Sequence, residues 1–97
     1  MDKEKFDKLI SENGLVLVDF YATWCMPCKM QSEILGELTE ESVPGLKIEK
    51  INVDENEDFV REFNIVSIPT LLAYKDGRMI KRYVGIAKTE DIVSWYN

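Results

Sequence analysis

Leu15-Val16-Leu17-Val18-Asp19-Phe20-Tyr21-Ala22-Thr23-Trp24-Cys25-Met26-Pro27-Cys28-Lys29 is the stretch on which the fold turns. Residues 15–21 are a nearly continuous apolar run, the pattern of a strand covered on both faces. Side chains alternate along a strand, so Leu15, Leu17, Asp19 and Tyr21 share one face and Val16, Val18 and Phe20 the other. Asp19 is the one charge in that run. Cys25-Met26-Pro27-Cys28 then opens a helix. Cysteines at i and i+3 in a first helical turn have Cα atoms about 5–6 Å apart, which suits a disulfide. Pro27 fits there because the first turn has no amide partner to lose. Free backbone N–H groups and the helix dipole favour a thiolate at Cys25. Cys28 lies one turn deeper. The asymmetry predicts that Cys25 attacks and Cys28 resolves.

Outward from this segment the chain reads as alternating helices and strands. Asp2–Asn13 is a helix with Phe6, Leu9 and Ile10 on one face, stopped by Asn13-Gly14, which both tolerate the left-handed conformation. The helix after the first strand is expected from about Cys25 to Glu41, with Met30, Ile34, Leu35 and Leu38 inward, and is broken by Pro44-Gly45. Leu46–Val53 is a second strand. Asn56 is placed to cap a short helix with an acidic first turn, Glu57 and Asp58, and a buried face of Phe59, Val60 and Phe63. Thr70–Lys75 and Arg78–Val84 flank Asp76-Gly77, a strong hairpin signal. Thr89 is expected to cap a last helix that packs Ile92, Trp95 and Tyr96 inward. The order α-β-α-β-α-β-β-α requires a parallel crossover between the first two strands and an antiparallel hairpin at the end. The fold class is therefore α/β, an open mixed central sheet with helices on both faces, in a single domain spanning residues 1–97.

Composition narrows the chemistry. The chain has 97 residues, 45% of them hydrophobic, enough for one core. Lys plus Arg number 12 against 18 Asp plus Glu, a net charge of −6. That argues against nucleic acid and anionic lipid as partners, both of which need a basic face. There is no histidine, so no imidazole serves as base or metal ligand, which removes Ser-His-Asp and Cys-His hydrolases. No apolar run is long enough to span a membrane. The charged start, Met1-Asp2-Lys3-Glu4-Lys5-Phe6, lacks a secretory hydrophobic segment, which gives the expectation of a cytoplasmic protein. With only two cysteines, three readings of the pair stand on spacing alone: a redox dithiol, half of a metal site completed by a second chain, or core cysteines without chemistry.

Residues 18–30 resemble the active-site stretch of thioredoxins. Further similar segments follow in order: Lys50-Ile51-Asn52-Val53-Asp54, Ser67-Ile68-Pro69-Thr70-Leu71, Lys75-Asp76-Gly77 and Val84-Gly85. The similarity runs from about Phe6 to the end. It implies the thioredoxin fold and a protein disulfide reductase, with Cys25, Cys28, Asp19 and Lys50 as catalytic residues. Asp19 would lie behind Cys28 and serve its proton transfers, since a desolvated carboxylate under a helix start titrates upward towards a general base. Lys50 would sit near Asp19 and tune it. The resemblance also implies a cis peptide at Pro69, facing the cysteines, with the backbone before it free to pair with an extended substrate. It leaves no room for a metal on the thiolates. Trp24, Met26, Pro27, Ile68, Pro69, Gly85 and Ile86 would form the substrate-binding rim. No bound cofactor is implied. Partners would be disulfide-bearing proteins and, as electron donor, a thioredoxin reductase. A glutaredoxin-like enzyme and a binding module built on the same scaffold are the rival readings. Trp-Cys-x-Pro-Cys-Lys and the intact pair speak against them.

The chain departs from the family at several points. Met26 stands where thioredoxins usually have Gly, and the residues between the cysteines help set the potential. Glu33 replaces a frequent helix-kinking Pro, and Gly36 is the expected bend instead. The chain begins at the family's first helix, without the strand that normally precedes it. The sheet should therefore have four strands, with Leu46–Val53 at an edge guarded by Lys47 and Glu49. A monomer is expected.

Overall fold

The computed structural model describes residues 1–97. The elements are α1 (Lys3–Glu12), β1 (Leu15–Tyr21), α2 (Met26–Gly36), β2 (Leu46–Asn52), a 3-10 turn (Val53–Glu55), α3 (Glu57–Glu62), β3 (Thr70–Lys75), β4 (Arg78–Val84) and α4 (Thr89–Trp95). They build one four-stranded sheet in the order β2-β1-β3-β4. β1 and β2 are parallel, whereas β1/β3 and β3/β4 are antiparallel. β2 is an edge strand of this sheet, as expected.

The alternation along β1 sorts the core into two layers. Val16, Val18 and Phe20 meet Phe6 of α1 and Phe59 of α3 on one face of the sheet. Leu17 meets Leu35 of α2 and Ile92 of α4 on the other. The first layer is aromatic: the Phe6 ring lies 5.5 Å from Phe59 and 5.3 Å from Phe63, and Phe59 stacks on Phe63. Such ring pairs add about 0.5–1.5 kcal/mol each beyond the area they bury. The hairpin closes at Asp76 and Gly77, whose φ angles of 51° and 83° suit a two-residue turn with both central residues left-handed.

Local expectations needed correction where side chains compete for the backbone. α1 does not end in a left-handed residue: Asn13 is extended (φ −118°, ψ 127°), and its side-chain amide donates to Leu9 O at 2.8 Å, capping the helix end itself. α2 stops at Gly36 rather than continuing to Glu41, so Gly36 terminates the helix and does not bend it. Just beyond, Thr39 and Ser42 capture each other's backbone N–H through their hydroxyls at 3.1 and 3.2 Å. That local turn competes with another helical turn. Met30 is exposed rather than inward, and Gln31 takes the buried position. β2 ends at Asn52, because Val53 begins the 3-10 turn. Asn56 does not cap α3 through its side chain. Its amide donates to Asn52 O at 2.9 Å, and its carbonyl accepts from the N-terminal amine at 3.0 Å. Lys88, not Thr89, is the N-cap of α4, and its backbone N–H donates to Asp91 Oδ2 at 3.4 Å.

Candidate active site

β1 delivers the chain into α2 at one end of the sheet, and Cys25 is the N-cap of that helix. Cys25 and Cys28 are joined in a disulfide with Cα atoms 5.2 Å apart. The Cys28 backbone N–H donates to Cys25 Sγ at 3.2 Å. An amide of the free first turn therefore points partial positive charge at that sulfur, and Cys28 Sγ has no such donor. Exposure does not separate the two, since both cysteines are buried. The asymmetry between them is electrostatic. Pro27 occupies the first turn and leaves no amide orphaned.

The opposite wall is the 65–70 segment. The Ile68-Pro69 peptide is cis, and the Ile68 carbonyl oxygen lies 3.9 Å from Cys25 Sγ. Gly85 has φ 109°, and its N–H donates to Pro69 O at 2.9 Å, tying the segment after β4 to the proline loop. Ile86 is half-buried beside it.

An apolar cleft of about 180 Å³ opens next to the disulfide, lined by Trp24, Val53, Val60, Ile65, Val66, Ser67 and Ile68. Trp24 is 69% exposed and Met26 68%, which is unusual for side chains this apolar. Met26, Gly85 and Ile86 do not line the cleft itself. Trp24 is held upright by its indole N–H, which donates to Asp54 Oδ2 at 2.7 Å. Asp54, through Trp24, and Val66, which is 85% exposed, lie outside the set of site residues expected from the sequence. Nothing about Val66 in an Asn64-Ile65-Val66-Ser67 run distinguishes a core valine from a rim valine.

Asp19, on β1, has none of its surface exposed. Neither carboxylate oxygen has a protein hydrogen-bond partner. Burial pushes its carboxyl up from 3.8 to about 6, opposed by the Lys50 ammonium. Lys50 is its register partner across β1 and β2. The Lys50 ammonium makes no ion pair with Asp19. It donates to Ser32 Oγ at 2.6 Å and lies 5.1 Å from the centre of the Tyr21 ring. Gln31, also unforeseen, is fully buried. Its amide donates to Ala87 O at 3.0 Å and accepts from Ala87 N at 2.6 Å, locking α2 to the segment that follows Gly85. The largest cleft, about 540 Å³, lies between the N-terminus and α3 among acidic side chains and includes neither cysteine.

The thioredoxin family profile matches residues 1–97. The chain is 49% identical over 77 residues to a thioredoxin of Mycobacterium bovis, a match that covers 79% of this chain and 66% of that protein, just under two thirds of its length. It is 45% identical over 84 residues to a bifunctional thioredoxin reductase/thioredoxin of Mycobacterium leprae, covering 87% of this chain and 18% of that protein. Among solved structures, the oxidised mitochondrial thioredoxin 3 of Saccharomyces cerevisiae superposes with a TM-score of 0.84 at 33% identity, covering 96% of this chain and 86% of that one. The Cys25–Cys28 disulfide lies in the residues that match, and the chain belongs to the thioredoxin family.

Proposed function

We propose that this protein reduces disulfide bonds in other proteins. The observation that carries the reading is a Cys25–Cys28 disulfide at a helix N-terminus, beside an exposed apolar cleft. Thiolate Cys25 attacks one sulfur of a substrate disulfide. That bond breaks, one substrate sulfur leaves as a thiolate, and Cys25 holds the other in a mixed disulfide. Cys28 gives its proton to Asp19 and attacks Cys25 Sγ. The second substrate thiolate leaves, and Cys25–Cys28 is the oxidised product. Two electrons have passed to the substrate through sulfur alone, with no resident cofactor. Trp24, Met26, Pro27, Val66 and Ile68 give the substrate an apolar seat, and the Ile68 carbonyl is placed to pair with its backbone. The oxidised pair is recharged by a flavin-containing thioredoxin reductase, a partner suggested by the Mycobacterium leprae relative's name. No helix is long and apolar enough to cross a membrane, and the reading assigns the protein to the reducing cytoplasm, where the dithiol form persists.

The test is insulin reduction by dithiothreitol, with and without a catalytic amount of the protein. Acceleration well beyond dithiothreitol alone is expected, and equal rates would refute the reading.

The reading also treats the protein as a monomer. One side of β2 is unpaired, which invites strand addition unless charge prevents it. Lys47 is exposed and Glu49 half-exposed along that strand, and the net charge is −6. Light scattering across a concentration series is expected to give the mass of one chain, with rapid exchange of those amides in residues 47–53 that point away from β1. A dimer with protected amides there would replace the monomer by a sheet continued across two β2 edges.

A further inference from the structure

A third cleft, of about 240 Å³, shares no lining residue with the apolar seat. Its walls are Tyr21, Ala22 and Thr23 after β1, Cys28, Lys29 and Ser32 of α2, and Lys50 of β2. It is the one cleft that reaches Cys28. The titratable and charged groups lining it are Tyr21 on β1, Lys50 on β2, and Cys28 and Lys29 on α2; Asp19, the register partner of Lys50, is buried beneath and does not line it. Ser32 stands four residues after Cys28, on the same helix face.

A lysine ammonium on a four-carbon stem loses considerable rotamer freedom when it is fixed, so it normally stays in water unless something holds it. Here two groups hold it. The Ser32 hydroxyl accepts from Lys50 Nζ at 2.6 Å, and the Tyr21 ring lies beneath at 5.1 Å. Neither is a carboxylate. The four ion pairs of the structure do not include Lys50. The position of this charge is therefore set by a neutral hydroxyl and a ring face, and Asp19 feels it through space from the neighbouring strand.

We propose that Ser32 is a positioning residue for the exchange reaction: its hydroxyl holds the Lys50 ammonium at the mouth of the cleft that reaches Cys28, fixing a positive charge beside the Asp19–Cys28 proton-transfer pair. The inference rests on the assignment of Asp19 to Cys28 made above and extends it by one residue. When Cys28 passes its proton to Asp19, the negative charge moves from carboxylate to sulfur and the total does not change. An ammonium fixed beside both groups stabilises the charge at either end of the transfer. Lys50 is itself exposed, so without Ser32 its ammonium would swing over positions farther from both groups and its average field there would weaken. Lys50 cannot simply collapse onto Asp19 instead, because reaching that buried carboxylate would desolvate a strongly hydrated ammonium.

The test is a carbon-13 NMR titration of the Asp19 carboxyl in the oxidised protein, for wild type, Ser32→Ala, Ser32→Thr and Lys50→Met. Ser32→Ala is expected to raise the Asp19 midpoint by about half a pH unit, with a larger rise in Lys50→Met, where the charge is gone altogether. Ser32→Thr keeps a hydroxyl and should return the midpoint to the wild-type value, a rescue that a packing role would not predict. A midpoint unchanged in Ser32→Ala while Lys50→Met moves it would overturn the proposal. So would an unchanged midpoint in Lys50→Met, because Asp19 would then not sense that charge. The titration needs no turnover. Failure of insulin reduction would refute the disulfide-reductase reading without touching the titration, and an unmoved midpoint would refute the role of Ser32 without touching reduction.

Discussion

Cys28→Ser is expected to stall the protein as a covalent adduct with its substrate, whereas Cys25→Ser should form no adduct and show no turnover. The reason is local geometry. In the oxidised protein the two Cα atoms are 5.2 Å apart on one helical turn, so the second exchange is intramolecular and needs no diffusion. Well-oriented intramolecular reactions behave as if the partner were present far above molar concentration. Without Cys28 the mixed disulfide must await an external thiol. At millimolar thiol its release should slow by at least about a thousand-fold. The direction of the asymmetry follows from the Cys28 amide, which sits 3.2 Å from Cys25 Sγ and favours negative charge there. Intact-mass spectrometry after mixing each reduced variant with a disulfide-bearing protein reads the outcome directly. Adduct accumulating on Cys25→Ser, through Cys28, would reverse the two roles.

Much of this architecture is readable in the residues because local signals and packing agree. The apolar run Leu15–Tyr21 with its misplaced Asp19, and Asp76-Gly77 between two strand-like runs, yield β1 and the β3–β4 hairpin with the bounds observed. The Cys-x-x-Cys pair is legible for the same reason, since spacing and helix start coincide. The overrun of α2 has a different origin. Leu38 keeps helical spacing with Leu35, but the Thr39–Ser42 side-chain turn outcompetes the backbone there. Met30 fits an inward position by period alone, yet Gln31 is buried because it finds both partners on Ala87. Buried amides of this kind are invisible in a hydrophobic pattern, since what stabilises them is a backbone segment 56 residues away. Ser32 is unreadable for a related reason. A serine on a helix signals nothing until the lysine of a neighbouring strand is found on it.

Asp19→Asn should make the protein more stable at neutral pH and slower at its work. Asp19 is fully buried, and burial raises its carboxyl from 3.8 to about 6 in the folded state. Between those values the native protein keeps a proton that the unfolded chain has released. Stability therefore falls as pH rises through that window and levels off above it. Integrated across the window, the cost of ionised Asp19 at pH 7 is about 3 kcal/mol, before any relaxation around it. Asparagine removes the charge but leaves a buried amide donor in its place, worth about 1–3 kcal/mol against the fold. The net gain is then about 0–2 kcal/mol at pH 7, up to roughly 15 °C in melting temperature for a domain of this size. At pH 4, where Asp19 is protonated in the native state, the gain should vanish or change sign. Thermal melts of both proteins at pH 4 and pH 7.5 measure the difference, and an equal increment at the two pH values would exclude the buried charge as its source. Stopped-flow resolution of the mixed disulfide measures the other half. Asparagine cannot take the Cys28 proton, so resolution at neutral pH should slow by about 10–100-fold, within or just below the usual contribution of a positioned general base. A variant that is stabilised yet resolves at the wild-type rate would leave Asp19 a burden with no catalytic return. A variant that is both more stable and slower would show that the fold carries this destabilising carboxylate for the second exchange step.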